Sequence, residues 1–324
     1  MDLMAGHSEL LEQREAVSEI LLKKETTVKL RNLLEKSQEI REFSVKELKL
    51  PDNDSYRMYA DLKRRYAVWN VVAAEEFSID PKKWCFLFVG CLSYRGYFSK
   101  EDAQAYADEL KKEGYDVFLA GANAYSTLGW FDDPLLNTMM YKSEARRAGI
   151  IFHELAHQVV YIDDDSAFNE AFATTVEEEG IRRWFIKNNQ ISQYQEYLVN
   201  KKRDEELNAL LQKTRVQLGA LYKKPMRSKE KKDAKANIFT AMKLEYQKLK
   251  SSWNGYDAYD EWMSQDLNNA HLLLIATYNE LLPSFKAMLK NEQNNLQQFY
   301  IAAERLGQMN KKDRKVYLQQ WAER

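Results

Sequence analysis

The sequence predicts an α+β fold that is mostly helical, with a small mixed sheet flanked by N- and C-terminal helical segments. Three observations carry that prediction. Glycine and proline supply only 16 of 324 residues, about 5% against a usual share near 12%. So few breakers leave little room for the turns of an all-β sandwich or barrel. Apolar residues recur at helical spacing through the first 50 residues and again after about residue 144. Between these stretches, short aromatic-rich apolar runs bracket a helical segment, the strand–helix–strand order of a small covered sheet.

Taken in order, residues 8–50 read as helices, with Leu10, Leu11, Val17, Ile20 and Leu21 followed by Leu30, Leu33 and Leu34. Leu50-Pro51-Asp52 ends that stretch. Asp54 or Ser55 is then positioned to cap a further helix carrying Tyr59, Leu62, Tyr66, Trp69 and Val72. After Pro81, residues 84–89 (Trp-Cys-Phe-Leu-Phe-Val) are too rich in aromatics to be anything but a buried strand. Ser99 starts an amphipathic helix with Ala103, Tyr106, Ala107 and Leu110, which stops at Gly114. Residues 116–120 form a second strand and 124–128 a third. From Glu144 onward no strand is expected. Helices fill the rest, including a polar stretch near 191–250 and a more apolar one from about Asn268 to Leu289. This order divides the chain into segments 1–80, 81–190 and 191–324, expected to form one compact unit.

Composition excludes several classes. Forty aromatic residues argue against disorder. A net charge of −1 argues against a nucleic-acid partner, and the basic stretch 223–232 reads as a solvated inter-helix loop. No window approaches 18 uncharged apolar residues, so no transmembrane segment is expected. Two cysteines exclude a disulfide framework. On one straight strand Cys85 and Cys91 would lie about 20 Å apart, beyond the ~7 Å that a bridge allows. They can pair only across a tight turn; two buried free thiols fit the sequence equally well.

Chemistry concentrates at residues 153–157, His-Glu-Leu-Ala-His, inside an otherwise apolar helical stretch. With four histidines in the chain, composition alone yields this pattern about 0.005 times per chain. His153 and His157 are one helical turn apart and point the same way, so both can reach one Zn²⁺. Glu154 is rotated about 100° around the helix, beside the metal, where it can take a proton from an activated water. The alternative, a self-satisfied core network, would have to bury two imidazoles and a carboxylate without a metal.

A zinc site with catalytic function needs a third protein ligand. The aspartates at 163–165 read as a helix-to-helix turn, with Asp165 or Ser166 as N-cap of the next helix. If the two helices are antiparallel, Glu170 faces His157. Glu177, two turns on, returns to the same face nearer the level of His153 and competes for the role. Glu178 and Glu179 point elsewhere. Asn169, Thr174 and Asp165 could supply the oxygen that ligating imidazoles normally bond.

Residues 168–173 (Phe-Asn-Glu-Ala-Phe-Ala) after a His-Glu-x-x-His helix resemble the second half of the gluzincin signature, in which an Asn-Glu pair supplies the glutamate ligand. More closely, the chain resembles the bacterial family of predicted zinc aminopeptidases. The matching words are residues 84–86, Gly90-Cys91, 94–98, 124–134, 153–157, 168–173 and 267–270, spread from about residue 40 to 290. The resemblance implies a zincin-like catalytic core at 81–190, one zinc per chain, and a peptide substrate cleaved at its N-terminal residue. It implies His153, His157 and Glu170 as ligands and Glu154 as catalytic base. The spacing departs from the better-known gluzincins: only 12 residues separate His157 from Glu170, and Glu177 fits their longer interval but lacks the preceding asparagine.

Further expectations follow from zincin chemistry. His271 and Tyr278, seven residues apart on one helix, are candidate donors to the oxyanion, with Tyr161 a weaker one. Tyr125, Ser126 and Thr127 are candidates for a strand that pairs with substrate backbone. Asp132 or Asp133 could hold a substrate ammonium group or simply form a turn. The first residues show no basic region followed by an apolar stretch. The resemblance implies the bacterial cell envelope or periplasm; family members typically begin with a signal or lipoprotein segment, so either this chain is a trimmed lipoprotein or it departs from the family. The competing readings are a zinc endopeptidase with the same site and a non-catalytic helical binding or scaffold protein.

Overall fold

In the computed structural model of the chain, the described residues are 12–86, 90–123, 132–273 and 281–322. The fold is α+β and mostly helical, with three small sheets among the described residues. Two compact units are built from interleaved segments: residues 69–121 with 196–277, and residues 2–68 with 122–195 and 278–324. A linear division at 80 and 190 therefore differs from the way the chain collects itself.

The first unit holds a three-stranded sheet in the order Arg95–Tyr97, Val68–Glu75, Tyr115–Ala122. The helix Lys100–Lys112 covers one face, packing Ala103, Ala107 and Leu110 on Val71, Ala73 and Val117. Ala270 and Leu273 cover the other, against Val72 and Ala74. Because both faces are covered, Val71 to Ala74 are all buried in succession, and the strand loses the alternation that would mark it. That is why the helix expected through Tyr59, Leu62, Tyr66, Trp69 and Val72 is not found. The segment forms strands Met58–Ala60 and Val68–Glu75 instead. Their apolar residues matched a helical period only by chance, whereas Val68-Trp69-Asn70-Val71-Val72 is β-branched and aromatic.

Residues Trp84–Phe86 and Gly90–Leu92 form an antiparallel pair, with Cys85 directly opposite Cys91. The two cysteines are exposed and joined by a disulfide, with Cα atoms 3.9 Å apart. The pairing of the two short strands brings the cysteines together, and the reading as buried free thiols is corrected. Helices Ile191–Tyr222 and Ser228–Ser252 share a core of Leu207, Leu211, Phe239, Met242 and Tyr246. Residues 223–227, the first half of the basic stretch, form the loop between them.

The second unit is dominated by helices Val28–Lys46, Glu144–His157, Ser166–Lys187, Leu282–Asn291, Leu296–Gly307 and Lys311–Ala322. Two short strands, Met58–Ala60 and Leu135–Leu136, pair in parallel beside Glu15–Ala16. Phe168 and Phe172 pack on Phe285 and Phe299, with ring centroids 4.9–6.3 Å apart. Gly180 lets the central helices approach: a Cβ there would stand 2.6 Å from the Phe152 ring. Among the described residues no strand lies beyond Glu144, and no helix is long and apolar enough to cross a membrane. The strand expected at 124–128, with Tyr125, Ser126 and Thr127, lies outside the described residues, as does Tyr278.

Candidate metal centre

The helix Glu144–His157 begins where the Ser143 hydroxyl accepts a hydrogen bond from the Arg146 amide at 3.2 Å, satisfying one of the orphan donors of the first turn. Its apolar face buries Ile151, Phe152, Leu155 and Ala156 completely. His153 and His157 stand together on the remaining side, with ring centroids 4.8 Å apart and planes nearly perpendicular. The chain then reverses through Asp164, whose φ of 58° lies in the left-handed region. The buried Asn169 side chain fixes this turn. Its amide nitrogen donates to the Ile162 carbonyl and its oxygen accepts from the Ile162 amide, both at 2.8 Å. Asn169 therefore positions the residue that follows it, Glu170, rather than bonding an imidazole.

Asp165 sits at the N-cap of the helix Ser166–Lys187 but makes no side-chain cap. Its carboxylate is taken by buried Arg314, at 3.0 Å from Nε and 2.6 Å from Nη2. Arg314 also donates to the carbonyls of Gly307 and Met309, so the helix Lys311–Ala322 anchors the turn from outside.

Glu170 faces both imidazoles. Its Oε2 lies 3.2 Å from His153 Nε2, and its Oε1 lies 3.7 Å from His157 Nε2. The ligand atoms of His153, His157 and Glu170 all fall within 4.8 Å of one another. Ligands 2.0–2.2 Å from a tetrahedral zinc lie about 3.3–3.6 Å apart; the two Glu170 distances bracket that range, so these residues could hold a divalent ion. Glu177 occupies a different place: its Oε2 is 3.0 Å from His153 Nδ1, the ring nitrogen turned away from Glu170. Glu179 and Glu178 do point elsewhere, to Arg182 and Arg183 and to Lys286.

The electrostatics favour positive charge at this spot. Burial opposes a charge on His153, but hydrogen bonds to Glu170 and Glu177 and the fields of Glu177 and Glu154 outweigh it and push its pKa up to about 10. Burial, reinforced by repulsion from His153 and only partly offset by Glu170, pushes His157 down to about 4. His157 is thus neutral, the form that ligates metals. Its buried Nδ1 has no hydrogen-bond partner among the described residues.

Glu154 is half-buried beside the pair. Nearby is Tyr56, whose significance no sequence pattern announced. It is 2% exposed and takes a left-handed φ of 67°, a conformation that costs a bulky side chain of order 1 kcal/mol or more and recurs at functional sites. Burial and the charges of Glu154 and Asp133 hold its hydroxyl protonated far above the ordinary range. Tyr56 is seated by its own backbone, which accepts from Gln38 and donates to the Asp133 carbonyl. The adjoining loop hangs on fully buried Arg41, which donates to the carbonyls of Pro51, Asn53 and Ser55. Asn53 in turn donates to Gln158, next to His157. Tyr161 is half-exposed, with its ring edge-on 6.2 Å from that of His157. Asp133 is buried at the foot of this loop.

His271 belongs to the other unit. It is buried, stacks on Phe118 at 4.1 Å, and has both ring nitrogens engaged by Asn268 and Gln265. No curated protein and no solved structure matches this chain. A family model described as "Putative aminopeptidase" matches residues 1–318, almost the full length. The chain belongs to that family.

Proposed function

We propose that the protein is a zinc-dependent aminopeptidase whose ion is held by His153, His157 and Glu170. The observation that carries this reading is the convergence of two imidazole nitrogens and a carboxylate within 4.8 Å of one another, with a glutamate at the position next to the first histidine. The family to which the chain belongs supports the peptidase assignment and the preference for N-terminal residues.

Bound zinc supplies Lewis acidity to the scissile carbonyl and lowers the pKa of a water towards about 7. Glu154 takes the proton of the attacking water and passes it to the leaving amine nitrogen. Glu170 and the two imidazoles hold the site rigid because each is mounted on a helix whose other face is buried. Tyr161, half-exposed beside His157, is better situated to donate to the oxyanion than His271, whose ring is already enclosed and bonded. The exposed Cys85–Cys91 disulfide supports an oxidising compartment such as the bacterial periplasm.

The test is one preparation assayed twice. Metal-free protein supplied with zinc is expected to retain about one ion per chain and to cleave aminoacyl substrates with a free amino group. Cleavage of N-blocked peptides alone would make it an endopeptidase. Absence of bound metal would leave a helical binding protein.

A further inference from the structure

We infer that Glu177 is the positioning residue for His153 and that Gly149 is glycine so that the Glu177 carboxylate can reach it. This rests on the metal-site reading above and extends it to two residues outside the ligand set.

His153 is bonded at both nitrogens, Nε2 towards Glu170 at 3.2 Å and Nδ1 towards Glu177 at 3.0 Å. Where an ion displaces the Nε2 proton, a carboxylate on Nδ1 keeps the remaining proton there and leaves the Nε2 lone pair directed at the ion; it also fixes the ring's rotation and raises its basicity. Glu177 is two helical turns beyond Glu170, so both project from one face of the helix Ser166–Lys187. They address opposite edges of the same imidazole. This division of labour separates two glutamates that the sequence left as rivals.

Gly149 adds an independent observation. It lies one turn before His153 on the same helix face. A Cβ built there would stand 2.7 Å from Glu177 Oε1 and 3.2 Å from Ile181 Cδ1. The carboxylate therefore occupies the volume that any side chain at 149 would fill. Its neighbour across the helices, Gly180, faces Phe152 in the same way, so one glycine admits a ring and the other admits a carboxylate.

The experiment measures metal affinity rather than turnover. Metal-free protein is titrated with Zn²⁺ in competition with a chromophoric chelator, and with Co²⁺ for its absorption spectrum. Glu177→Ala is expected to bind one ion with about 10–100-fold weaker affinity and a shifted Co²⁺ spectrum. Glu177→Gln, whose amide oxygen can still accept from Nδ1–H, is expected to lose less than about tenfold. Gly149→Ala is expected to weaken binding about tenfold by displacing the carboxylate, and to add little to Glu177→Ala in the double variant. Unchanged affinity and spectrum in both Glu177→Ala and Gly149→Ala would overturn the inference. So would complete loss of metal in Glu177→Ala with retention in Glu170→Ala, because Glu177 would then be a ligand. If the unmodified protein binds no zinc, the metal-site reading itself falls and the inference with it.

Discussion

Two buried histidines, His157 in one unit and His271 in the other, show opposite ways of hiding an imidazole. His271 lies between Phe118 and Trp262, accepts from the Asn268 amide and donates to Gln265. Its partners are neutral and its ring is enclosed, so burial alone, helped by Lys243, depresses its pKa to about 4. His157 has a similar pKa but unfinished surroundings: one nitrogen with no hydrogen-bond partner among the described residues, a second imidazole 4.8 Å away and a carboxylate 3.7 Å away. An imidazole bonded by amides and covered by aromatic rings is a completed piece of core. An imidazole that shares a carboxylate with another imidazole is a place made for a cation.

The strongest challenge to that contrast is chemical. Glu154→Gln should leave zinc bound and reduce hydrolysis about 10²–10⁴-fold; full activity with metal retained would remove the base from this region. The next challenge is structural. Replacing Arg314 with Met leaves the Asp165 carboxylate buried without its guanidinium, and should cost about 3–5 kcal/mol in urea unfolding. A cost below about 1 kcal/mol would mean that the outer helix does not hold the turn between the helices that carry the histidine pair and Glu170.

Zinc itself distinguishes the two histidines. At a hundredfold excess over its dissociation constant it should stabilise the protein by about 2.7 kcal/mol, seen as a raised melting temperature. The shift should persist in His271→Gln and vanish in His157→Ala. The smallest effect is the share of the acid dependence that His271 contributes, beside that of the equally depressed His157. For His271 the folded pKa of about 4 lies below the unfolded value near 6.5, so the unfolded chain binds more protons as pH falls. The stability contributed by neutral His271 is therefore present above pH 6.5 and is lost as pH falls towards 4. At pH 5 the loss amounts to about 2 kcal/mol, and His271→Gln should remove that part of the acid sensitivity.

Much of this was legible in local sequence because it depends on local physics. The Ser99 hydroxyl caps its helix by accepting from the Asp102 amide, and Gly114 ends the following turn with φ of 90°. His153 and His157 share a face because four residues make about one turn of any α-helix. Other features were invisible for equally physical reasons. The strand Val68–Glu75 is covered on both sides and shows no alternation. Tyr56 is brought within the field of Glu154 by a loop organised by Arg41, which no periodicity encodes. Asn169 stood in the right motif, but its partner proved to be the Ile162 backbone.

By itself, the sequence determined the mostly helical character, the helix carrying the two histidines and the glutamate between them, and the turn that sends the chain back past them. These are matters of propensity, period and capping within a few residues. Only the tertiary structure decided which glutamate meets Nε2 and which meets Nδ1, whether Cys85 reaches Cys91, and which histidine is finished core. Those outcomes depend on how closely two surfaces approach. Where the two helices that carry His153, His157 and Glu170 meet, that distance is set by the absence of side chains at Gly149 and Gly180, a property of the packed pair rather than of either helix alone.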